Sequence, residues 1–253
     1  MTKIAILGLG EAGSHFANDL AALGVSVSGW DPNPLRPLHP AVRFAADNPD
    51  AVKGADIVFS VNLTAASRAV AREVTPFLSP GALYCEMNTS SPATKIEIAG
   101  IVAPAGVRFV DLAIMAPVPP QGMQVPLLAS GAGAAPLAET LAPYSLNLRV
   151  LNDNAGDAAA RKLLRSIVYK GVAAVICEAM EAGARFGLED YIRAQIHSVI
   201  GQDDALIDRF VEGSRTHAAR RIHEMEAVSD MLEEAGLNAF MSRAAGENLK
   251  KYT

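Results

Sequence analysis

The sequence predicts an α/β domain built on a parallel sheet, followed by an all-helical domain. Over residues 1–150 of the 253-residue chain, short β-rich runs alternate with helical stretches, which is the pattern of a parallel sheet covered on both faces. A glycine-rich turn joins the first strand to the first helix. After Asn154 the pattern changes, because residues 156–188 contain no proline and no convincing strand. We therefore predict a first domain of residues 1–153 and a second of residues 154–253.

The individual elements follow from apolar runs and from the periodic stretches between them. The predicted strands of the first domain are 3–8, 25–30, 56–61, 82–87, 107–112, 124–130 and 146–151. Its predicted helices are 11–23, 65–76, 92–103 and 134–142. In the second domain the clearest helices are 156–188 and 217–236, and Gly236 is a plausible stop for the latter.

Composition excludes several classes of protein. The chain is 50% hydrophobic, which is enough for a sizeable core, and its net charge of -5 argues against a nucleic-acid partner. Cys85 and Cys177 lie in apolar runs without the spacing of a disulfide framework or a metal site, so we expect small core residues. The first apolar run is too short for a secretory signal, and no segment reaches 18 uncharged apolar residues. We expect a soluble cytoplasmic protein that binds neither metal nor membrane.

The segment "GLGEAG" has the G-x-G-x-x-G pattern and lies between a predicted strand and a predicted helix, as the Rossmann dinucleotide fingerprint requires. The helix start offers N–H groups to a pyrophosphate, and we expect the Glu11 side chain to point away from it. A purely structural glycine turn is the alternative. The expected cofactor contacts in this loop are Gly8, Leu9, Gly10, Glu11, Ala12 and Gly13.

Asp31 stands at the end of the second predicted strand, where the fingerprint has an acidic residue. A carboxylate there accepts hydrogen bonds from ribose hydroxyls and repels a 2′-phosphate, so the cofactor is NAD or NADP with NAD favoured. Two alternatives stay open: Asp31 also suits a turn before Pro32, and Arg36 offers a partner for a 2′-phosphate.

Further segments follow the glycine loop in the order of a known family. "EMNTSSP" (86–92) and "DLAIMAPVPPQG" (111–122) lie between the loop and the long helix, and Lys162 is followed four residues later by Ser166 near the start of that helix. With these segments the chain resembles the β-hydroxyacid dehydrogenase superfamily, which includes 3-hydroxyisobutyrate and 6-phosphogluconate dehydrogenases. The resemblance implies a Rossmann domain followed by a helical domain, and nicotinamide-dependent oxidation of a hydroxyacid.

The chain departs from the family pattern at positions that concern the substrate. Asn88 stands where serine is usual, and Ser166 stands where the family has asparagine. The family's Ser-Gly-Gly loop, which binds the substrate, is replaced by Pro119, Pro120 and Gln121. Two prolines remove two backbone N–H donors, so the resemblance implies a differently shaped substrate.

The resemblance identifies Lys162 as the general acid/base, and helix geometry points the same way. Lys162, Ser166 and Tyr169 share one face of a helix whose other faces are apolar and are therefore predicted to be buried. Such a polar face should line a cleft or a partner, and a partly desolvated lysine has a pKa lowered towards neutrality. A solvated surface lysine is the alternative. The expected site residues beyond the loop and Asp31 are Lys162 as catalyst, Asn62 and Asn88 for the cofactor, and Thr89, Ser166 and Arg165 for the substrate.

The second domain also predicts partners. Arg165, Arg220 and Arg221 are candidates for binding an anionic substrate group, with a solvated helix face as the alternative, whereas His217 and His223 are expected at the surface. A helical domain of about 100 residues cannot cover a nearly all-apolar helix alone, so we expect a homodimer formed through residues 156–253.

Two other functions stay open. The first is an imine or ketone reductase on the same scaffold, although in that branch the lysine position commonly carries another residue. The second is a non-catalytic dinucleotide-binding sensor, against which Lys162 and Thr89 argue together. The substrate, the direction of the reaction, and a decarboxylation after oxidation cannot be predicted from the sequence.

Overall fold

The computed structural model describes residues 2–34, 36–201 and 204–253, except the side chain of residue 182. The chain divides into two compact units, Met1–Lys162 and Leu163–Thr253. The first unit is α/β, and the described part of the second contains helices without strands. The predicted α/β domain followed by a helical domain is confirmed.

The first unit contains one eight-stranded sheet with the order β3-β2-β1-β4-β5-β6-β7-β8. Its strands are β1 (Lys3–Leu7), β2 (Ser26–Trp30), β3 (Arg43–Phe44), β4 (Ile57–Ser60), β5 (Leu83–Glu86), β6 (Arg108–Ile114), β7 (Leu127–Ser130) and β8 (Leu148–Val150). The seven predicted strands are all present. The two-residue β3 was not predicted, since it is too short to produce an alternating pattern.

The expectation of a fully parallel sheet is wrong at one pair. β6 pairs with β7 in the antiparallel sense, whereas the other neighbouring strands are parallel. The segment 115–126 between them contains no α-helix, only a short 3-10 turn at Gly122–Gln124. A parallel pair needs a longer crossover, usually an α-helix, so this connection returns the chain antiparallel.

Helices cover both faces of the sheet. They are α1 (Glu11–Ala22), α2 (Asn48–Val52), α3 (Ser67–Val74), α4 (Pro92–Val102) and α5 (Ala134–Leu141). Side chains of β1 alternate between two cores, with Ile4 and Ile6 in one and Ala5 and Leu7 in the other. This alternation is why the strands appear as continuous apolar runs in the sequence. The five-residue α2 was not predicted.

The second unit is formed by the long helix α6 (Asp157–Phe186), which starts in the first unit, together with α7 (Glu189–Ile200), α8 (Asp204–Thr216), α9 (Ala218–Glu234) and α10 (Phe240–Leu249). Gly187 and Gly236 directly follow the ends of α6 and α9, or lie one residue beyond, and have φ values of +70° and +71°. Glycine adopts this left-handed conformation at little cost, so Gly236 ends a helix as predicted, whereas Gly187 ends α6 two residues before the predicted end at residue 188. Cys85 and Cys177 are buried free thiols, as predicted.

One apolar stripe of α6 is exposed in the single chain. Leu164, Val168 and Val175 lie on one face of the helix by their spacing, and their side chains are 51%, 67% and 60% exposed. Leu163 and Ala173 are buried, as predicted for the other faces. In the part of the chain that the structure describes, no helix is long and apolar enough to cross a membrane.

Candidate functional site

The loop between β1 and α1 is packed so closely that two of its glycines have no room for a side chain. Gly8 has a φ of +103°, and a Cβ there would lie 2.7 Å from the carbonyl oxygen of Val61. A Cβ on Gly13 would lie 1.9 Å from the carbonyl oxygen of Gly8. The loop therefore lies directly against α1 and the end of β4, as the dinucleotide fingerprint requires.

The start of α1 has the features of an anion site. Gly10 is the N-cap and supplies no side-chain hydrogen bond to the helix. The N–H groups of Glu11, Ala12 and Gly13 belong to the first turn, where a helix has no internal acceptors. Free N–H groups and the positive end of the helix dipole suit a pyrophosphate, so these residues fit the nicotinamide dinucleotide that the fold implies.

Asp31 joins the end of β2 to this loop. Its Oδ2 accepts a hydrogen bond from the Leu9 N–H at 2.7 Å, and its Oδ1 accepts one from the Asn33 N–H at 2.8 Å. A carboxylate has about four acceptor positions, so lone pairs are left for ribose hydroxyls. Asp31 thus supports the loop as well as offering a negative charge beside it.

Two amide side chains meet beyond the ends of the neighbouring strands β4 and β5. The Asn88 Nδ2 donates to the Asn62 Oδ1 at 3.1 Å, and the Asn62 Nδ2 lies 3.2 Å from the Ser60 Oγ. The Thr89 carbonyl oxygen accepts a hydrogen bond from the Thr64 hydroxyl at 2.9 Å. Since the carboxyl ends of parallel strands lie at one edge of a sheet, the predicted residues from 8 to 89 form one continuous group.

Beneath this edge lies a cluster of buried charges that sequence reasoning missed. Lys95, on α4, is 1% exposed and forms ion pairs with Glu86 and Asp111, which are both 0% exposed. Its Nζ also donates to the Glu86 carbonyl oxygen at 2.9 Å, and lies 3.2 Å from the Asp111 Oδ1. The sequence did contain a signal: Lys95 precedes Ile98 by three residues and Val102 by seven, so it lies on the apolar face of the helix.

The pKa values of the cluster reflect its burial. Burial raises the pKa of Glu86, because the carboxylate is moved out of water, and Lys95 only partly offsets this effect. Burial lowers the pKa of Lys95, but Glu86 and Asp111 outweigh it, so the pKa lies above the ordinary value of 10.5. Lys95 therefore remains an ammonium ion throughout the physiological range.

The first turn of α6 is anchored to the same cluster. The Ala159 N–H donates to the Asp111 Oδ2 at 2.8 Å, and the Ala158 N–H donates to the Ser130 Oγ at 3.0 Å. Just before the helix, Gly156 has a φ of +97°, and a Cβ there would lie 3.0 Å from Pro92. Lys162 follows Ala159 by three residues and is half-buried within the first unit.

In the second unit, Ser166 belongs to a polar group between α6 and α9. Ser166 is 5% exposed and accepts a hydrogen bond from the Lys170 Nζ at 3.1 Å. Lys170 also forms an ion pair with Glu224 of α9. Burial lowers the pKa of Lys170 in spite of this carboxylate. Sequence reasoning missed Lys170 and Glu224, since a lysine in a long helix is usually solvated.

The arginines of the second unit differ from one another. Arg165 and Arg220 are exposed, as a solvated face predicts, whereas Arg221 is only 7% exposed. Arg221 donates to the Ser214 Oγ at 2.7 Å and lies 5.9 Å from the centre of the Tyr169 ring, which Arg165 approaches at 5.6 Å. Burial lowers the pKa of Arg221. The alternative of a solvated side chain is therefore wrong for Arg221.

His217 and His223 are not grouped with other metal-binding side chains among the residues that the structure describes. His223 is exposed and lies 3.0 Å from Glu226, as expected for a surface residue, and His217 is the half-buried N-cap of α9. Among the described residues, no three His, Cys, Asp or Glu side chains are grouped to hold a metal ion.

The chain is similar to known protein families and to solved structures. Residues 3–118 match the NAD binding domain of 6-phosphogluconate dehydrogenase, and residues 184–251 match a domain of unknown function, DUF1932. A conserved hypothetical protein from Sinorhizobium meliloti 1021 is 33% identical, with 99% of this chain and 88% of that chain covered and a TM-score of 0.77. The conserved protein MTH1747, described as structurally similar to 3-hydroxyacid dehydrogenases, is 27% identical, with 99% and 96% covered and a TM-score of 0.75.

The chain belongs to the β-hydroxyacid dehydrogenase-like superfamily. The 3-hydroxyisobutyrate dehydrogenase ygbJ from Salmonella typhimurium shares the superfamily fold, with a TM-score of 0.79 and 20% identity over 99% of this chain and 94% of that chain. The predicted family and Rossmann fold are confirmed. The roles of individual site residues in this superfamily member stay predictions.

Gly13→Ala should lower the free energy of unfolding by about 1–3 kcal/mol, because its Cβ would overlap the Gly8 carbonyl oxygen and force the loop to move. Gly100→Ala is the matched control, since a Cβ there meets nothing within 4 Å. Urea unfolding followed by fluorescence of Trp30, the single tryptophan, measures both variants. Equal stability of the two variants would contradict the close packing of the loop.

Proposed function

We propose that this superfamily member transfers hydride between NAD(P) and a 3-hydroxyacid-like alcohol, with Lys162 as general acid/base. The observation that carries the proposal is the Ala159–Asp111 hydrogen bond of 2.8 Å. It anchors the first turn of α6, which leads directly to Lys162, in the unit that contains the glycine loop. A lysine near such an anchored helix start, together with a dinucleotide-binding loop, supplies both parts that alcohol oxidation requires.

Residues 8–13 and Asp31 would hold the dinucleotide, and Asn62 and Asn88 would contact its nicotinamide end. When bound, the dinucleotide supplies the acceptor or donor of hydride. The Nδ2 of Asn88 is already committed to Glu86 and Asn62, which fixes the direction in which its carbonyl oxygen can accept a hydrogen bond. The negative charge of Asp31 favours NAD over NADP.

Lys162 would move the proton. In the oxidation direction, its uncharged Nζ takes the hydroxyl proton of the alcohol while the electron pair of the carbon–hydrogen bond leaves as hydride. In the reduction direction, the ammonium form returns that proton to the carbonyl oxygen. Positioned proton transfer of this kind contributes about 10²–10⁴ to the rate. Thr89 and Ser166 would hydrogen-bond the substrate.

An anionic substrate is supported by the charges of the second unit. Arg165, Lys170, Arg220 and Arg221 lie on α6 and α9, where Lys170 and Arg220 both form ion pairs with Glu224. Glu224 is also close enough to act on Arg221 electrostatically, so this carboxylate faces several cations, and a further negative charge would offset the excess of positive charge. A substrate carboxylate contacting Arg165 or Arg221 would supply that charge.

A homodimer formed through residues 156–253 is supported by the exposed stripe of α6. Leu164, Val168 and Val175 are exposed apolar side chains on one face of a single helix. A face of this kind is typical of a protein–protein interface.

Lys162→Met should lower kcat by about 10²–10⁴ and leave dinucleotide affinity unchanged, because only the proton carrier is lost. A panel of 3-hydroxyacids, assayed with NAD and NADP by absorbance of the reduced nicotinamide, provides the measurement. Arg161→Met is the control, since Arg161 is an exposed cation one residue earlier on the same helix. Full activity of Lys162→Met would refute the catalytic role and favour the reductase; absence of turnover in the unmodified protein would favour the sensor.

Asp31→Asn should narrow the preference for NAD, because it removes the charge that repels a 2′-phosphate while keeping an acceptor for the Leu9 N–H. Asp31→Ala should narrow it as well, and should also weaken both cofactors because the loop loses that hydrogen bond. Calorimetric titration with NAD and NADP gives the affinities. Tighter binding of NADP to the unmodified protein would reject the preference and favour a role for Arg36.

Arg221→Met should lower kcat/KM for hydroxyacids by about 10-fold or more, since a charged group of the substrate would lose its partner. The same hydroxyacids as methyl esters should be poor substrates for the unmodified protein and should respond little to the variant. Arg220→Met serves as the exposed control. Equal losses for acids and esters would indicate that Arg221 is only structural.

Light scattering should give about twice the 26.5 kDa mass of one chain at micromolar concentration. Val168→Glu should shift the protein towards the monomer, because it buries a charge in the proposed interface. Phe44→Glu is the control: Phe44 is 50% exposed but lies in β3, outside residues 156–253. A mass of one chain for the unmodified protein would exclude the homodimer.

A further inference from the structure

We propose that Lys95 is a positioning residue that sets Asn88 and the first turn of α6 in one arrangement, by holding the carboxylates of Glu86 and Asp111 together. The inference rests on the proposed function for the roles of Asn88 and Lys162. Lys95 acts on both indirectly. It acts through two buried carboxylates, each of which binds one part of the candidate site.

Lys95 is linked to the candidate site by two arms. The first arm runs from Lys95 through the Glu86 carboxylate to Asn88. The Glu86 Oε1 accepts hydrogen bonds from the Asn88 backbone N–H at 3.2 Å and from the Asn88 side-chain amide. The carboxylate is 0% exposed, so water does not compete for these bonds. The position of the Glu86 carboxylate therefore determines where the Asn88 side chain lies.

Asp111 forms the second arm. Its Oδ2 accepts the Ala159 N–H at 2.8 Å and lies 3.4 Å from the Ser130 Oγ, which in turn accepts the Ala158 N–H. Both N–H groups belong to the first turn of α6, where the helix has no internal acceptors. Asp111 therefore caps the helix that carries Lys162.

The positive charge of Lys95 allows the Glu86 and Asp111 carboxylates to be ionised side by side. Glu86 and Asp111 lie on the adjacent strands β5 and β6 and are paired with each other in register. Two carboxylates buried side by side repel each other, so without a cation one of them takes up a proton or moves away. The Lys95 ammonium contacts both and removes that conflict.

The starts of α4 and α6 also approach each other directly, where Gly156 packs against Pro92. A Cβ on Gly156 would lie 3.0 Å from Pro92, at the start of the helix that carries Lys95. The start of α4 and the residue before α6 are thus connected by close packing as well as through the charges. A change at Lys95 should reach both arms.

Lys95→Met tests the proposal. Amide hydrogen exchange should rise by about 10-fold in both 86–92 and 156–162, while the loop 8–13 stays protected. Ile98→Ala is the matched control, because Ile98 is 0% exposed on the same helix and is packed in an apolar core. Ile98→Ala should loosen α4 without a joint effect on the two segments. Identical exchange patterns in the two variants would overturn the proposal.

Asp111→Asn keeps the proposal testable if Lys95→Met fails to fold. Asparagine retains an acceptor for the Ala159 N–H and removes one charge. Exchange in 86–92 should rise if Lys95 couples the arms. Unchanged exchange there would overturn the proposal.

Activity provides a separate measurement. Lys95→Met should lower kcat by about 10- to 100-fold, as expected for a small displacement of reacting groups, with the KM for dinucleotide within about 3-fold of the unmodified protein. Ile98→Ala should retain kcat at temperatures where it is folded, and equal losses of kcat would overturn the positioning role. If the unmodified protein turns over no substrate, the proposed function has failed, while hydrogen exchange still decides whether Lys95 couples the two arms.

Discussion

Charges that are buried in an apolar domain must be neutralised and hydrogen-bonded, and the candidate site is arranged around this constraint. Glu86, Lys95 and Asp111 have almost no exposed surface, so every acceptor position that Lys95 does not use needs a donor from the surrounding chain. The donors are the Asn88 amide and the first turn of α6. One buried cation is thereby linked to two segments that are 70 residues apart in the sequence, at 88–89 and 158–159.

The cofactor side of the site depends mainly on the backbone. Gly8 and Gly13 are required because the loop, α1 and the end of β4 approach within van der Waals distance. The donors at the start of α1 are backbone N–H groups, and even Asp31 uses part of its carboxylate to bind the backbone of the loop. Such a site requires few specific side chains, which explains how a fold with only 20% identity to the Salmonella dehydrogenase is retained.

The second unit contains one of the departures from the family pattern, at Ser166. Ser166, which the resemblance aligns with the family's asparagine, accepts a hydrogen bond from Lys170, and Lys170 forms an ion pair with Glu224. Arg221 adds a buried cation. The relationship through DUF1932 concerns this same part of the chain, residues 184–251. Under the proposed function, these charges would take part in substrate selection.

The sequence by itself determined the elements that have a strong local cause. Apolar runs and helical periodicity predicted seven strands and the long helices, and the glycine spacing predicted the loop at 8–13, because each of these patterns reflects steric limits and burial of residues close together in the sequence. Only the tertiary structure decided the antiparallel β6–β7 pair, the burial of Lys95 and Arg221, and the exposure of Val168. Each of these depends on which distant segment packs against a residue. The sequence does not show whether the lysine on the apolar face of α4 is buried. Its burial requires the carboxylates of Glu86 and Asp111, which two distant strands place beside it.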